Sequence, residues 1–150
     1  MGVYVTTKID IARPLAEVAA YAFDPTNAPQ WYANIKSVRW RTGPPVAEGS
    51  EMDFVAHFLG RELAYTYRVV ELTHNRLVMR TAQGPFPMET IYQLQATGPD
   101  STRFCLINRG EPKGFVGVVA PVMVAAMKAA NRKDVAALKA VLEGQVPTHT

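Results

Sequence analysis

The sequence predicts an α+β fold built on an antiparallel sheet, and three observations carry that prediction. Six stretches of strand character follow one another between residues 37 and 110, separated by short breaks rich in Gly, Pro, Asn and Asp. Two short helical segments stand before that run and one long helical pattern stands after it. Strands in hairpin succession with the helices set apart from them, instead of alternating β and α, specify α+β.

Taken in order, residues 3–12 alternate as a first strand. ARPLAEVAAYAFD follows, with Pro14 near a helix start, Glu17 in the first turn, and Leu15, Val18, Ala19, Tyr21 and Ala22 at helical spacing. A second helical turn is expected from Pro25 to Tyr32, capped by Asp24 or Thr26. Strands are then expected at 37–42, 49–59, 62–72, 76–82, 88–96 and 102–110, broken by GPPVAEG, LGRE, THN, QGPFP and TGPDS.

From Gly114 to Met127 the chain reads GFVGVVAPVMVAAM, without one charge. A bilayer span needs about 20 apolar residues, so a run that stops at Lys128 and contains Pro121 is too short. It continues as KAANRKDVAALKAVLEG, and Val116, Val119, Met123, Met127, Ala130, Asp134, Leu138 and Val141 fall on one helical face. The expectation is one helix of roughly 28 residues, about 42 Å long, ending near Gly144, with Pro121 kinking it or marking its first turn. A long apolar helix is the natural partner for the sheet to curve around. The uncharged run then forms the inner wall of a space left at one end.

Composition narrows the function. With 150 residues, 48% hydrophobic and 19% charged, the chain fits a single soluble domain over 1–150. A net charge of +3 with no basic cluster beyond Arg132-Lys133 gives no reason to expect nucleic acid. The lone Cys105 lies mid-strand and reads as a packed thiol. MGVYVTTKIDIA lacks the layout of a secretory signal, so the cytoplasm is the expected compartment, with no transmembrane segment. His57, His74 and His149 are scattered, so no metal is expected, and no phosphate-binding, dinucleotide or GxSxG motif calls for a cofactor or nucleophile.

The order and spacing of IDIARPLAEVAAYAFDPTNAPQWYANIKSV, then YRVVEL with RLVMRTAQGPFPMETIYQLQ, then DVAALKAVLE, resemble the START-like or SRPBCC superfamily over nearly the whole chain. That superfamily includes polyketide cyclases, birch-pollen-allergen-like carriers and lipid-transfer domains. The resemblance implies a helix-grip fold: a curved antiparallel sheet of about seven strands around a long C-terminal helix, with two short helices after strand 1. It also implies a large apolar cavity between sheet and helix that binds hydrophobic or aromatic small molecules and, in some members, supports catalysis.

Alternation along the strands nominates the lining. Met52, Phe54, Ala56 and Phe58 form one apolar face, and Met88, Thr90, Tyr92 and Leu94 another. In 62–70 the parity is open, because Leu63, Tyr65, Tyr67 and Val69 oppose Ala64, Thr66 and Arg68. Trp31 is either a ligand-stacking residue at the cavity mouth or an aromatic anchor between helices and sheet. Expected ligand contacts are Trp31, Phe54, Phe58, Tyr65, Tyr67, Met88, Tyr92, Val119, Met123 and Met127.

Two function classes follow. One is a carrier or sensor that binds a lipid, isoprenoid or polyketide-like molecule, acting as a monomer or weak homodimer. The other resembles a polyketide cyclase/dehydrase, in which Arg68 or Arg80 stabilises an enolate and Tyr67, or Tyr65 or Tyr92, moves a proton. The alternative for both arginines is the solvent side of the sheet. The cyclases' pocket tyrosine, seven residues after the tryptophan, is Val38 here. A polar group of Glu89, Arg109 and Glu111 is a further candidate at the cavity mouth.

Overall fold

The computed structural model describes residues 3–111 and 120–144. Seven strands, β1 (Val3–Ile11), β2 (Ile35–Trp40), β3 (Glu51–Phe58), β4 (Arg61–Leu72), β5 (Arg76–Gln83), β6 (Met88–Gly98) and β7 (Ser101–Gly110), form one antiparallel sheet. Its order is β1-β7-β6-β5-β4-β3-β2. Strands β2 to β7 are a meander of hairpins, and β1 returns to pair with the last of them, so the chain's first two strands are the two edges. The sheet curls into a half-barrel and grips α3 (Ala120–Leu142), while α1 (Leu15–Ala22) and α2 (Ala28–Trp31) close one end. This is the helix-grip fold that the sequence leads one to expect.

Local chemistry sets the element ends. The Pro14 carbonyl accepts the backbone N–H groups of Glu17 and Val18, which opens α1. Asp24 Oδ1 accepts from the Thr26 backbone N–H at 3.0 Å and from the Thr26 hydroxyl at 2.6 Å, holding the 3-10 turn Pro25–Asn27 that leads into α2. At the far end Gly144 stands in the left-handed region at φ +71°, the stop that a glycine permits after a helix.

Pro121 falls in the first turn of α3, where its missing N–H costs nothing. Residues 112–119 lie outside the described residues, and with them the expected helical contribution of Val116 and Val119. Strand boundaries also differ by one or two residues: β2 starts at Ile35 instead of 37, across a register shift against β3 between Ile35 and Ser37, and β3 starts at Glu51 instead of 49.

The core lies between the concave face and α3. Phe104, Leu106, Met52 and Leu138 are wholly buried, with Leu77, Leu94, Val69 and Val135 beside them. Burying such side chains contributes about 1.5 to 3 kcal/mol each, so the α3 face that carries Val135 and Leu138 helps hold the helix in the grip. Polar ties fix its end: Glu143 Oε2 accepts from the Ala12 backbone N–H at 2.7 Å, and Lys139 Nζ donates to the Asp10 carbonyl at 2.9 Å. Among the described residues no helix is long and apolar enough to cross a membrane.

Candidate functional site

The parity left open in β4 resolves toward the apolar set. Leu63, Tyr67 and Val69 are buried and Tyr65 is half-buried, while Ala64 and Arg68 are exposed. Thr66, on the outer face, is covered by its neighbours and donates its hydroxyl to Asp53 Oδ1 at 2.7 Å. With β4 so oriented, β3, β4 and β6 present Phe54, Phe58, Tyr65, Tyr67, Met88 and Tyr92 to a cavity of about 150 Å³, and α3 adds Met123 and Met127. A dry cavity of that size elsewhere accepts a benzene-sized guest, so the space suits a compact ligand.

Aromatic packing makes the wall rigid. The rings of Phe54 and Tyr65 stack at 5.4 Å with 3° between their planes, and Tyr67 meets both edge-on at 5.5 and 5.0 Å. One region of the wall is polar. The Tyr32 and Tyr92 hydroxyls lie 2.9 Å apart. Thr90 Oγ1 donates to Asn108 Oδ1 at 2.8 Å, so its one proton is used, and Tyr67 must donate to Thr90 across their 2.8 Å contact. Burial pushes the phenols of Tyr32, Tyr65, Tyr67 and Tyr92 above their ordinary value, which keeps all four neutral hydroxyls.

From α3, Asn131 and Asp134 complete this region; both are buried and both line the cavity. Asp134 Oδ1 accepts from the Ala33 backbone N–H at 3.0 Å. Burial pushes the Asp134 carboxyl up to about 6, against the Ala33 hydrogen bond and the Lys133 charge, which pull the other way.

Two expectations are corrected, and a third falls outside the described residues. Arg68 and Arg80 are on the outer face: Arg68 Nε donates to Glu51 Oε2 at 2.8 Å, and the Arg80 side chain is 60% exposed beside Glu89. The reason is strand alternation, since an inward Tyr67 and Met79 send Arg68 and Arg80 outward. Trp31 is buried but is not part of the cavity wall; it packs on Tyr32 at 4.1 Å, Tyr92 at 5.7 Å and Phe104 at 6.0 Å, the anchoring role. Val119 lies outside the described residues.

Glu89 accepts from both Arg80 and Arg109. Burial would raise its carboxyl, but the two arginines outweigh that and hold it below its ordinary value. Glu111 is exposed.

Sequence reasoning missed Asn108, Asn131 and Asp134 as cavity residues. The available signal was Asp134, a lone carboxylate on the greasy stripe of the last helix, next to Ala130 and Leu138.

A curled antiparallel sheet gripping one long helix, with a half-open and mostly apolar cavity between them, defines a START-like helix-grip protein. The chain belongs to the family described as "Polyketide cyclase / dehydrase and lipid transport", whose model matches residues 3–143. Among solved structures it is similar to a START superfamily protein from Mycobacterium smegmatis, at 20% identity and a TM-score of 0.78, over 95% of this chain and 99% of that one. It is also similar to the Zhui aromatase/cyclase from Streptomyces sp. R1128, at 14% identity and a TM-score of 0.78, over 99% and 98%. The protein TTHA0849 from Thermus thermophilus gives 16% identity and a TM-score of 0.79, over 95% and 98%. At these identities the likeness is one of fold. No curated protein matches the chain.

Proposed function

We propose that the protein binds a hydrophobic or aromatic small molecule, of lipid, isoprenoid or polyketide-like character, in the cavity between sheet and α3. The observation that carries this reading is the wall itself: Phe54, Phe58, Tyr65, Met88, Met123 and Met127 are among the side chains that line a cavity of about 150 Å³. Apolar concave sites with a few fixed polar groups are the usual small-molecule sites, and methionines adapt such a wall to ligand shape. The volume accommodates a ligand body of one or two rings.

The cyclase/dehydrase reading keeps Tyr67, whose buried hydroxyl lies on the cavity wall, but loses the two arginines that were to stabilise an enolate. Binding without turnover is therefore the primary reading. Native mass spectrometry of freshly purified protein, followed by solvent extraction, tests it. A stoichiometric apolar adduct is the expected result. An empty protein that also ignores small aromatic probes would refute it.

A further inference from the structure

Polar groups at one end of the cavity are incompletely used. Asn131 is 5% exposed, and its Nδ2 is buried without a hydrogen-bond partner. An orphaned buried amide is destabilising, so a fold that retains one at a cavity wall is keeping a donor ready. Asp134 lies three residues on, on the same face of α3. Its Oδ1 is held by Ala33, and its Oδ2 has no partner among the described residues. The Tyr32–Tyr92 contact uses one of two phenol protons, which leaves the other for a third oxygen. Asp134 is near enough for its charge to act on both phenols.

The other end of the cavity has a different character. Met123 packs there with Leu63 and Phe86, and Met127 lies beside them. Along α3, Met123 and Asp134 are eleven residues apart, about 16 Å at 1.5 Å per residue. The cavity is thus mainly apolar around Met123, although Glu89 and Arg109 also line it beside Met88 and Gly110, and it carries donors and one carboxylate oxygen around Asp134.

We infer that Asn131 and Asp134, with the Tyr32–Tyr92 pair, form a subsite for a neutral hydroxyl on the ligand, which accepts from Asn131 Nδ2 and donates to Asp134 Oδ2. This inference rests on the cavity being a small-molecule site and adds the class of ligand: an apolar body that ends in an alcohol, phenol or enol. A hydroxyl satisfies both partners at once. A carboxylate cannot donate and meets the Asp134 charge, and a hydrocarbon leaves the amide orphaned.

The test is calorimetric titration at pH 8 of the wild-type protein and of Asn131→Leu and Asp134→Asn with naphthalene, 2-naphthol and 2-naphthoate. In the wild type, 2-naphthol is expected to bind at least tenfold tighter than naphthalene, with 2-naphthoate the weakest. Asn131→Leu should bring naphthol and naphthalene within about threefold. Asp134→Asn, which turns an acceptor into a donor, should improve 2-naphthoate by tenfold or more.

Equal wild-type affinity for naphthol and naphthalene would overturn the subsite and leave the cavity reading intact. Naphthoate binding as tightly as naphthol would do the same. Failure of all three probes would remove the cavity reading and the subsite with it. The wild-type comparison needs no variant, so a substitution that fails to fold does not protect the inference.

Discussion

Tyr32 and Tyr92, sixty positions apart in sequence, share a buried 2.9 Å hydroxyl contact that joins the segment after α2 to the middle of β6. It ties the short helices to the sheet at the polar end of the cavity. Around it Trp31 packs on both rings, and Phe23 stacks on Tyr92 at 6.3 Å.

Removal of one partner strands the other. Tyr92→Phe leaves the Tyr32 hydroxyl buried without an acceptor or donor, a cost of about 1 to 3 kcal/mol. Tyr32→Phe strands Tyr92 equally. In Tyr32→Phe/Tyr92→Phe no orphan remains, so the double variant should be clearly more stable than the sum of the single losses implies, with a coupling of about 1 kcal/mol. Urea unfolding of the four proteins measures this. Strictly additive losses would show that the contact contributes nothing.

The outer arginines make a contrasting prediction. Arg68→Ala breaks a pair in which the guanidinium is 53% exposed, and such pairs contribute about 0 to 1 kcal/mol. Because neither Arg68 nor Arg80 faces the cavity, alanine at either position should leave the affinity for a small aromatic probe within about twofold. A tenfold loss in either variant would return the arginines to the functional site.

How much of this was legible in the sequence follows from which signals are local. Strand parity was readable where one face is plainly apolar, as in Met52, Phe54, Ala56 and Phe58. It failed in β4 because both faces there carry groups that suit burial: Thr66 is covered on the outer side while Tyr67 is covered on the inner. The capping of the 3-10 turn by Asp24 needs only a two-residue neighbourhood and was predictable. Whether Trp31 faces a ligand or a neighbouring ring depends on Tyr92 and Phe104, more than sixty residues away, and no local pattern encodes that. The roles of Asn131 and Asp134 depend likewise on which loops and strands surround α3.

Glu89 predicts an acid limb to stability. It is 6% exposed, and Arg80 and Arg109 hold its carboxyl below the ordinary value despite burial. A carboxylate with a lowered folded-state value contributes stability that is fully present above its ordinary value and is lost as pH falls through the lowered one. Glu89→Gln should therefore cost about 1.5 to 3 kcal/mol at pH 7, and the gap between variant and wild type should narrow as pH falls below the ordinary carboxylate value and through the lowered one. Thermal unfolding from pH 3 to pH 7 reads this directly. A gap that does not change with pH would mean that the carboxylate's charge is not what the arginines recognise.

Asp134 predicts the opposite sign. Its carboxyl is pushed from an ordinary value of 3.8 up to about 6 by burial, which outweighs the Ala33 hydrogen bond and the Lys133 charge. Tyr32 and Tyr92, the titratable groups on which its charge acts, stay neutral throughout the range concerned. A raised folded-state value means that the folded protein holds this proton more tightly than the unfolded chain does. The contribution to stability is then fully present below pH 3.8, falls as pH rises through 6, and is absent above it. Asp134→Asn removes the ionisation and keeps an oxygen for the Ala33 N–H. At pH 8 it should stabilise the unliganded protein by something on the order of 2 kcal/mol, with the advantage shrinking toward zero by pH 4. Such a gain is expected where a buried charge is kept for binding at the expense of stability. Denaturant unfolding of the unliganded wild type and variant at pH 8, 6 and 4 decides it. A variant no more stable than wild type at pH 8 would show that Asp134 is ionised there without penalty.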